Sequence, residues 1–311
     1  MEDRPSIGSS YWILLVVIAA IVLIIGVFAA LYPVGAGAFL GSADFSGSFD
    51  PGPSALPAFG GKSTYDGAVV FTNLDRALVA ATLPVDLRLA QNTSSTPDRH
   101  PVVFIISHHA NMSFLVPGPN PAYPPEYQEL ILLIPFVQHA NGTKWHTLVE
   151  RMYLDDLAAI TLGNLYFGYR KEIGAFVRSD TDLAPTQFEA RHLGTPYFEA
   201  SLSLDGGWRT SGDAETSIQS FTKMQEIFEM PLIGRNPGVA PLLPYLCSYW
   251  QWDYSAAFVR PMKSRHRLLR PFSVGTSAWV GLGELKSVKD GAVAMRGMEF
   301  RIGLPGFGCQ F

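Results

Sequence analysis

The chain has 311 residues, enough for one large domain or two small ones. Hydrophobic residues make up 48% and charged residues only 16%, so a sizeable core is available. A net charge of −4 argues against a general nucleic-acid binder.

Met1 to Ser10 is short and polar. Tyr11 to Tyr32 contains no charge. At about 1.5 Å per residue it would span roughly 30 Å, the thickness of a bilayer core. Tyr11 and Trp12 at one end and Tyr32 at the other suit the two membrane interfaces. The expectation is one uncleaved transmembrane helix over 11–32. A cleaved signal peptide is the alternative, since Ala36-Gly37-Ala38 resembles a cleavage site. The apolar run is long for that, and Arg4 is its whole basic flank. No Lys or Arg follows until Lys62, so the N-terminus is expected in the cytoplasm and the folded domain outside, periplasmic or extracellular. Residues 33–63, rich in Gly, Pro and Ser, read as a tether made stickier by Phe39, Phe45, Phe49 and Phe59.

The folded domain is expected over 64–311. Ala68 to Phe71 is a short strand, and Asn73 caps a helix that Pro84 ends. Val102 to Ile106 and Leu130 to Val137 are buried-strand runs. Trp145 to Tyr153 leads into a strand ending at Met152-Tyr153-Leu154. Asp155 then caps a helix through Leu157, Ala158, Ile160 and Leu162, which fails at Gly163 or Gly168. Ala175 to Val177, Phe188 to His192 and Tyr197 to Leu204 are strand-like. Ala214 to Phe228 reads as one helix, and the remainder as strands punctuated by Gly and Pro. This pattern predicts an α+β domain, mainly antiparallel, closing into a barrel with a few helices at its edge.

Several features have an ordinary structural reading. His108 and His109 are adjacent on a strand, face opposite sides and cannot share one metal ion by local geometry. The basic run Arg260 to Arg270 suits anionic headgroups, an acidic partner or a solvated hairpin. Tyr245 to Tyr254 is crowded with aromatics, as a core strand or a protein interface would be. Tyr11, Trp12, Tyr32, Phe39, Trp250 and Trp252 are the candidate partner or membrane contacts. Cys247 and Cys309 fit no metal-ligand spacing; they form either one disulfide or two free thiols. Neither a metal nor a cofactor is expected.

The run from Met152 to Gly174 resembles the acetoacetate decarboxylase superfamily. Met152-Tyr-Leu-Asp155, the Ala-Ile of the following helix, Gly163 and Tyr169 match its motif, and Lys171 falls on its Schiff-base lysine. The likeness extends from about Thr64 to Pro305, including Tyr127-Gln-Glu129. It implies a β-barrel-like core with Lys171 and Glu129 facing an interior pocket, beside Tyr65, Tyr166, Tyr169, Arg170 and Glu172. The departures are specific. The superfamily's second lysine is Glu172 here, its proline is Arg170, and an arginine of its first strand falls on or beside Tyr65. A cationic neighbour helps a lysine lose its proton, and an anion opposes this.

Two functions follow. The one favoured on these grounds is a membrane-anchored, non-catalytic accessory subunit, contacting the bilayer and other subunits of a membrane complex. The alternative is a lyase in which Lys171 forms an imine with a small keto acid and Glu129 moves protons.

Overall fold

The computed structural model describes residues 60–90, 97–114, 126–181, 184–235, 245–288, 291–303 and 307–309. All fall in the unit Pro51–Phe311. Tyr11, Trp12, Tyr32 and Phe39 lie outside the described residues.

The frame is a run of long antiparallel strands: β1 (Gly60–Asp75), β3 (Arg99–Phe114), β4 (Glu126–His139) and β5 (His146–Leu154). β1 lies between β3 and β16 (Ala292–Gly303). β2 (Leu87–Leu89) adds to β4. The free edge of β5 is shared by two parallel strands, β6 (Lys171–Ile173) and β11 (Leu232–Gly234). Beyond β16, the sheet continues through β14 (Phe258–Leu268), β9 (Thr195–Leu204), β8 (Ala184–His192) and β7 (Ala175–Thr181). β13 (Trp250–Asp253) takes the rest of the β16 edge, and β12 (Leu246–Ser248) pairs with β11.

The expected barrel does not close. β6 pairs only with β5 and β7 only with β8, so no ladder joins these consecutive strands across Gly174. A side chain bridges the gap, with His192 Nδ1 meeting the Ile173 carbonyl at 2.7 Å.

β1, β3 and β4 are apolar on both faces because both are covered. Val69, Ile105, Ile131 and Leu133 point to one core, and Val70, Phe104, Ile106 and Leu132 to the other. Period-two alternation therefore sets which core each side chain enters. The first core lies under α2 (Leu157–Phe167) and α4 (Gln219–Phe228) and contains the candidate site. The second is packed with aromatics such as Phe198 and Phe272.

Several expected helix boundaries move. α1 (Arg76–Ala80) is capped by Asp75, not Asn73, because β1 continues to Asp75. α2 is capped by Asp156, whose side chain accepts from the Ala159 N–H at 2.6 Å. Asp155 instead accepts the Gln128 N–H at 2.8 Å, tying β4 to the end of β5. The helix passes through Gly163 and stops at Gly168, which takes the left-handed φ of 63° that favours glycine. The expected single helix over 214–228 is two, α3 (Ser211–Ser217) and α4, broken where Ile218 is extended.

The expected single-pass location, with the domain outside, is overturned for the described residues. Among them no helix is long and apolar enough to cross a membrane. The longest, α2, has 11 residues, which rise only about 16 Å, roughly half of what a bilayer core requires. The basic run on β14 is not a bare cationic patch, because Lys263 pairs with Asp205 at 2.8 Å and Arg267 with Glu199 at 2.5 Å. Cys247 and Cys309 are joined by a disulfide.

Candidate active site

Three neighbouring strands present one row of side chains. Tyr65 on β1 is the register partner of His109 on β3, which faces Tyr127 on β4; next to them Ser107 faces Glu129. Odd-numbered positions of β3 and β4 share a face with Ile105 and Ile131, so Ser107, His109, Tyr127 and Glu129 all enter the first core. His108 points the other way, to Glu126 at 3.2 Å.

The row is a hydrogen-bonded chain. Ser63 Oγ meets His109 Nδ1 at 2.7 Å, and His109 Nε2 meets Glu129 Oε1 at 2.8 Å. Ser107 Oγ donates to the same oxygen at 3.0 Å. The His109 ring stacks on Tyr127 at 4.8 Å and meets Tyr65 and Phe300 edge-on, both at 5.3 Å. Burial pushes the Glu129 carboxyl up. The charge and hydrogen bond of His109, then Lys171 and Ser107, outweigh it and hold the group below the ordinary glutamate range.

Lys171 arrives from the opposite side. It opens β6, beside Met152 of β5. Asn164 of α2 holds its backbone in both directions, accepting from Lys171 N–H at 2.7 Å and donating to its carbonyl at 3.0 Å. The side chain then runs across Gly163. A Cβ there would lie 2.2 Å from Lys171 Cε and 2.6 Å from Nζ, so only glycine leaves the lysine its path. The residue is half-buried as a whole, but its amine end lies inside. Burial depresses the amine pKa. Glu129 and Asp156 oppose this through their charge, and burial wins. No ion pair among the described residues holds the ammonium.

The two sides form a half-open cavity lined by Tyr65, His109, Tyr127, Glu129, Gly163, Phe167, Tyr169, Lys171, Trp250, Trp252 and Phe300, and also by Gly61, Lys62 and Ser113. The space open to the centres of water molecules is ≈ 70 Å³, room for about five waters or an organic molecule of similar heavy-atom count. The wall is aromatic and dry in character. Trp252 and Phe300 lie 4.6 Å apart, and Tyr65 meets Trp252 edge-on at 5.2 Å. Tyr65 Oη, Trp250 Nε1, Trp252 Nε1 and Ser113 Oγ are buried without a hydrogen-bond partner in good geometry. Of these, Trp250 leans towards the Tyr169 hydroxyl and Tyr65 towards Ser107. Tyr169 also contacts Ser248 Oγ. Among the described residues no cluster of side chains could hold a metal ion.

The structure thus brings Lys171, Glu129, Tyr65 and Tyr169 to one cavity. Arg170 and Glu172 do not line it. Neighbours along an extended strand point to opposite faces, and both turn away from Lys171. Glu172 pairs with Arg151, and Arg170 lies among Arg151, Glu150 and Arg235. The expectation that Glu172 keeps the amine charged therefore fails: that carboxylate is spent on Arg151, and the amine responds to burial. The side chain of Tyr166 lies outside the described residues. Trp250 and Trp252 line the cavity. The residue that the sequence reading missed is His109. Its signal was present in the alternation Ile105, Ser107, His109, but the pairing with Glu129 appears only once the register is known.

No protein-family model matches the sequence, and no curated protein matches it by sequence. Solved structures match the fold. The chain is similar to acetoacetate decarboxylase from Legionella pneumophila, at 15% identity and TM-score 0.54, over 84% of this chain and 93% of that one. It is similar to an acetoacetate decarboxylase-like enzyme from Sphingomonas wittichii RW1, at 15% identity and TM-score 0.50, over 85% and 99%. It is also similar to the enduracididine biosynthesis enzyme MppR complexed with pyruvate, at 14% identity and TM-score 0.50, over 79% and 88%. The class this defines is structural: a strand-rich, mainly antiparallel fold of the acetoacetate decarboxylase-like kind.

Proposed function

We propose that this chain is an imine-forming enzyme, a carbon–carbon lyase in which Lys171 condenses with the carbonyl of a small keto acid. One observation carries the reading. A lysine amine reaches an aromatic cavity, burial lowers its pKa, and no ion pair among the described residues holds it. Such an amine gives up its proton more readily than a surface lysine and is the better placed nucleophile. The size of the cavity suits a ligand of few heavy atoms. The pyruvate bound by MppR, a fold neighbour, is of that size.

The steps follow from charge. The amine attacks the carbonyl carbon, and the nitrogen passes a proton to the Glu129 carboxylate. Glu129 returns it to the alkoxide oxygen, and a second proton, taken up from solvent through Glu129, lets that oxygen leave as water when the C–O bond breaks. The iminium nitrogen then accepts the electron pair of the bond being cleaved, giving an enamine. Glu129, reprotonated by solvent, delivers a proton to the enamine carbon, and water hydrolyses the resulting iminium, freeing the amine and returning one proton. The aromatic walls limit competing water, while Trp252 Nε1 and Ser113 Oγ are donors near the cavity that no described residue engages, available to ligand oxygens.

Borohydride reduction in the presence of pyruvate or acetoacetate tests this. A stable adduct on the Lys171 peptide, absent in Lys171→Ala, is expected by mass spectrometry. A folded wild-type protein that yields no adduct with either keto acid overturns the reading.

A further inference from the structure

The Glu129 carboxylate is used asymmetrically. Both hydrogen bonds it receives, from His109 Nε2 at 2.8 Å and Ser107 Oγ at 3.0 Å, fall on Oε1. Oε2 has no hydrogen bond among the described residues. One oxygen is clamped into the protein and the other is left to exchange protons.

The far side of His109 is equally specific. Nδ1 meets Ser63 Oγ at 2.7 Å, and Ser63 is buried. A hydroxyl can donate or accept. With neutral imidazole, Ser63 donates to Nδ1; with imidazolium, Nδ1–H donates to Ser63. Nε2 donates to Glu129 in both states. The imidazole can therefore gain or lose a proton without losing a hydrogen bond. A hydrolytic triad is the other use of serine, histidine and carboxylate, but Ser63 does not border the cavity and cannot meet a substrate.

We propose that His109 is the proton reservoir of this site, a positioning residue that acts through Glu129. As imidazolium it favours the carboxylate that takes a proton from the attacking nitrogen. As neutral imidazole it lets Glu129 hold that proton at Oε2 until the carbinol oxygen or the enamine carbon receives it. A decarboxylation consumes one proton per turnover, because a C–H bond replaces the C–C bond lost with carbon dioxide. The imidazolium supplies it by passing its Nε2 proton to Oε1 as Oε2 releases its own, which leaves a neutral ring in its other tautomer, whose Nδ1–H donates to Ser63, and solvent then restores the imidazolium. The groups facing this pair are Lys171 from β6, Ser63 and Tyr65 from β1, Ser107 from β3, Tyr127 from β4, and Tyr169 after α2. Asp156, at the α2 cap, bears on Lys171. The inference rests on the imine reading for its chemistry, but not for its test.

His109→Gln is the discriminating variant. Glutamine can still donate to Glu129 and accept from Ser63, but it cannot be protonated. Adduct formation is expected to slow at least tenfold and its pH profile to change shape, because the chain from Ser63 to Glu129 has lost its imidazole. Ser63→Ala should change the profile in the same direction by less. Ser107→Ala, which removes the other bond to Oε1, should lower the rate and leave the shape of the profile unchanged. A His109→Gln profile of wild-type shape overturns the proposal. If no keto acid forms an adduct with the wild type, carbon-13 NMR titration of Glu129 decides instead. Its apparent pKa should rise in His109→Gln, and an unchanged titration overturns the reservoir whatever the substrate.

Discussion

Three carboxylates lie close to Lys171 in the fold, and Glu129 and Asp156, not Glu172, act on its amine. Glu172 is the chain neighbour, but strand alternation sends it to Arg151. Glu172→Gln should therefore leave the pH dependence of adduct formation unchanged. Glu129→Gln removes a charge that raises the amine pKa, so it should move that dependence to lower pH while slowing the proton transfers. Equal shifts in the two variants would show that the strand faces are assigned wrongly. Gly163 is the second test at this scale. In Gly163→Ala the new Cβ occupies the path of Lys171 Cε. The lysine is flexible enough to swing aside, so the thermal midpoint should change little while adduct formation falls at least tenfold. Loss of both together would mean the glycine serves packing alone.

At the scale of elements, the β5–α2–β6 unit sets the lysine. β5 and β6 are parallel, and the connecting helix returns the chain beside its own starting strand. Asp156 caps the helix start, and Asn164 locks its inner face to Lys171. Asn164→Ala leaves the Lys171 N–H and carbonyl without that partner, a loss of about 1–3 kcal/mol for a buried backbone group. Urea unfolding should report it, and adduct formation should fall with it because β6 loses its anchor. At the far end, Gly234 lets β11 approach α2, since a Cβ there would lie 2.0 Å from the Phe167 carbonyl. Much of this unit was legible in the sequence. The strand ending at Leu154, the capping aspartates, the stop at Gly168 and the position of Lys171 are all local signals. The cap itself was misplaced by one residue because Asp155 and Asp156 are chemically equivalent until β4 engages one of them.

Across the whole molecule, two buried histidines tie stability to pH. Burial lowers the pKa of His100 and of His266 from 6.5 to about 4. His100 is held by the Pro135 carbonyl at 2.8 Å, and His266 lies between Thr72 at 3.0 Å and Ser264 at 3.1 Å. The unfolded chain takes up these protons near pH 6.5 and the folded chain only near pH 4. Stability is therefore fully present above the unfolded value and is lost as pH falls towards the folded one, by on the order of 3 kcal/mol per histidine. Urea midpoints across that window should show the loss, and His266→Gln should flatten part of it; an unchanged slope would refute the assignment. The disulfide works at the same scale. It closes a loop of sequence separation 62, for which chain entropy gives about 4 kcal/mol. Reduction should lower the thermal midpoint of the wild type and leave a Cys247→Ser variant where it is.

From the sequence alone came the strand-rich α+β class and the apolar strands, which rest on short-range periodicity, while Lys171 and Glu129 were implied by the resemblance of short contiguous motifs. The open sheet, the inward turn of Trp250 and Trp252, the Ser63–His109–Glu129 chain and the electrostatic state of the amine came only from the tertiary structure. Register and burial decide these, and both depend on residues far apart in the chain. A carboxylate one position away along a strand can point elsewhere, while one on another strand can share a cavity with the amine.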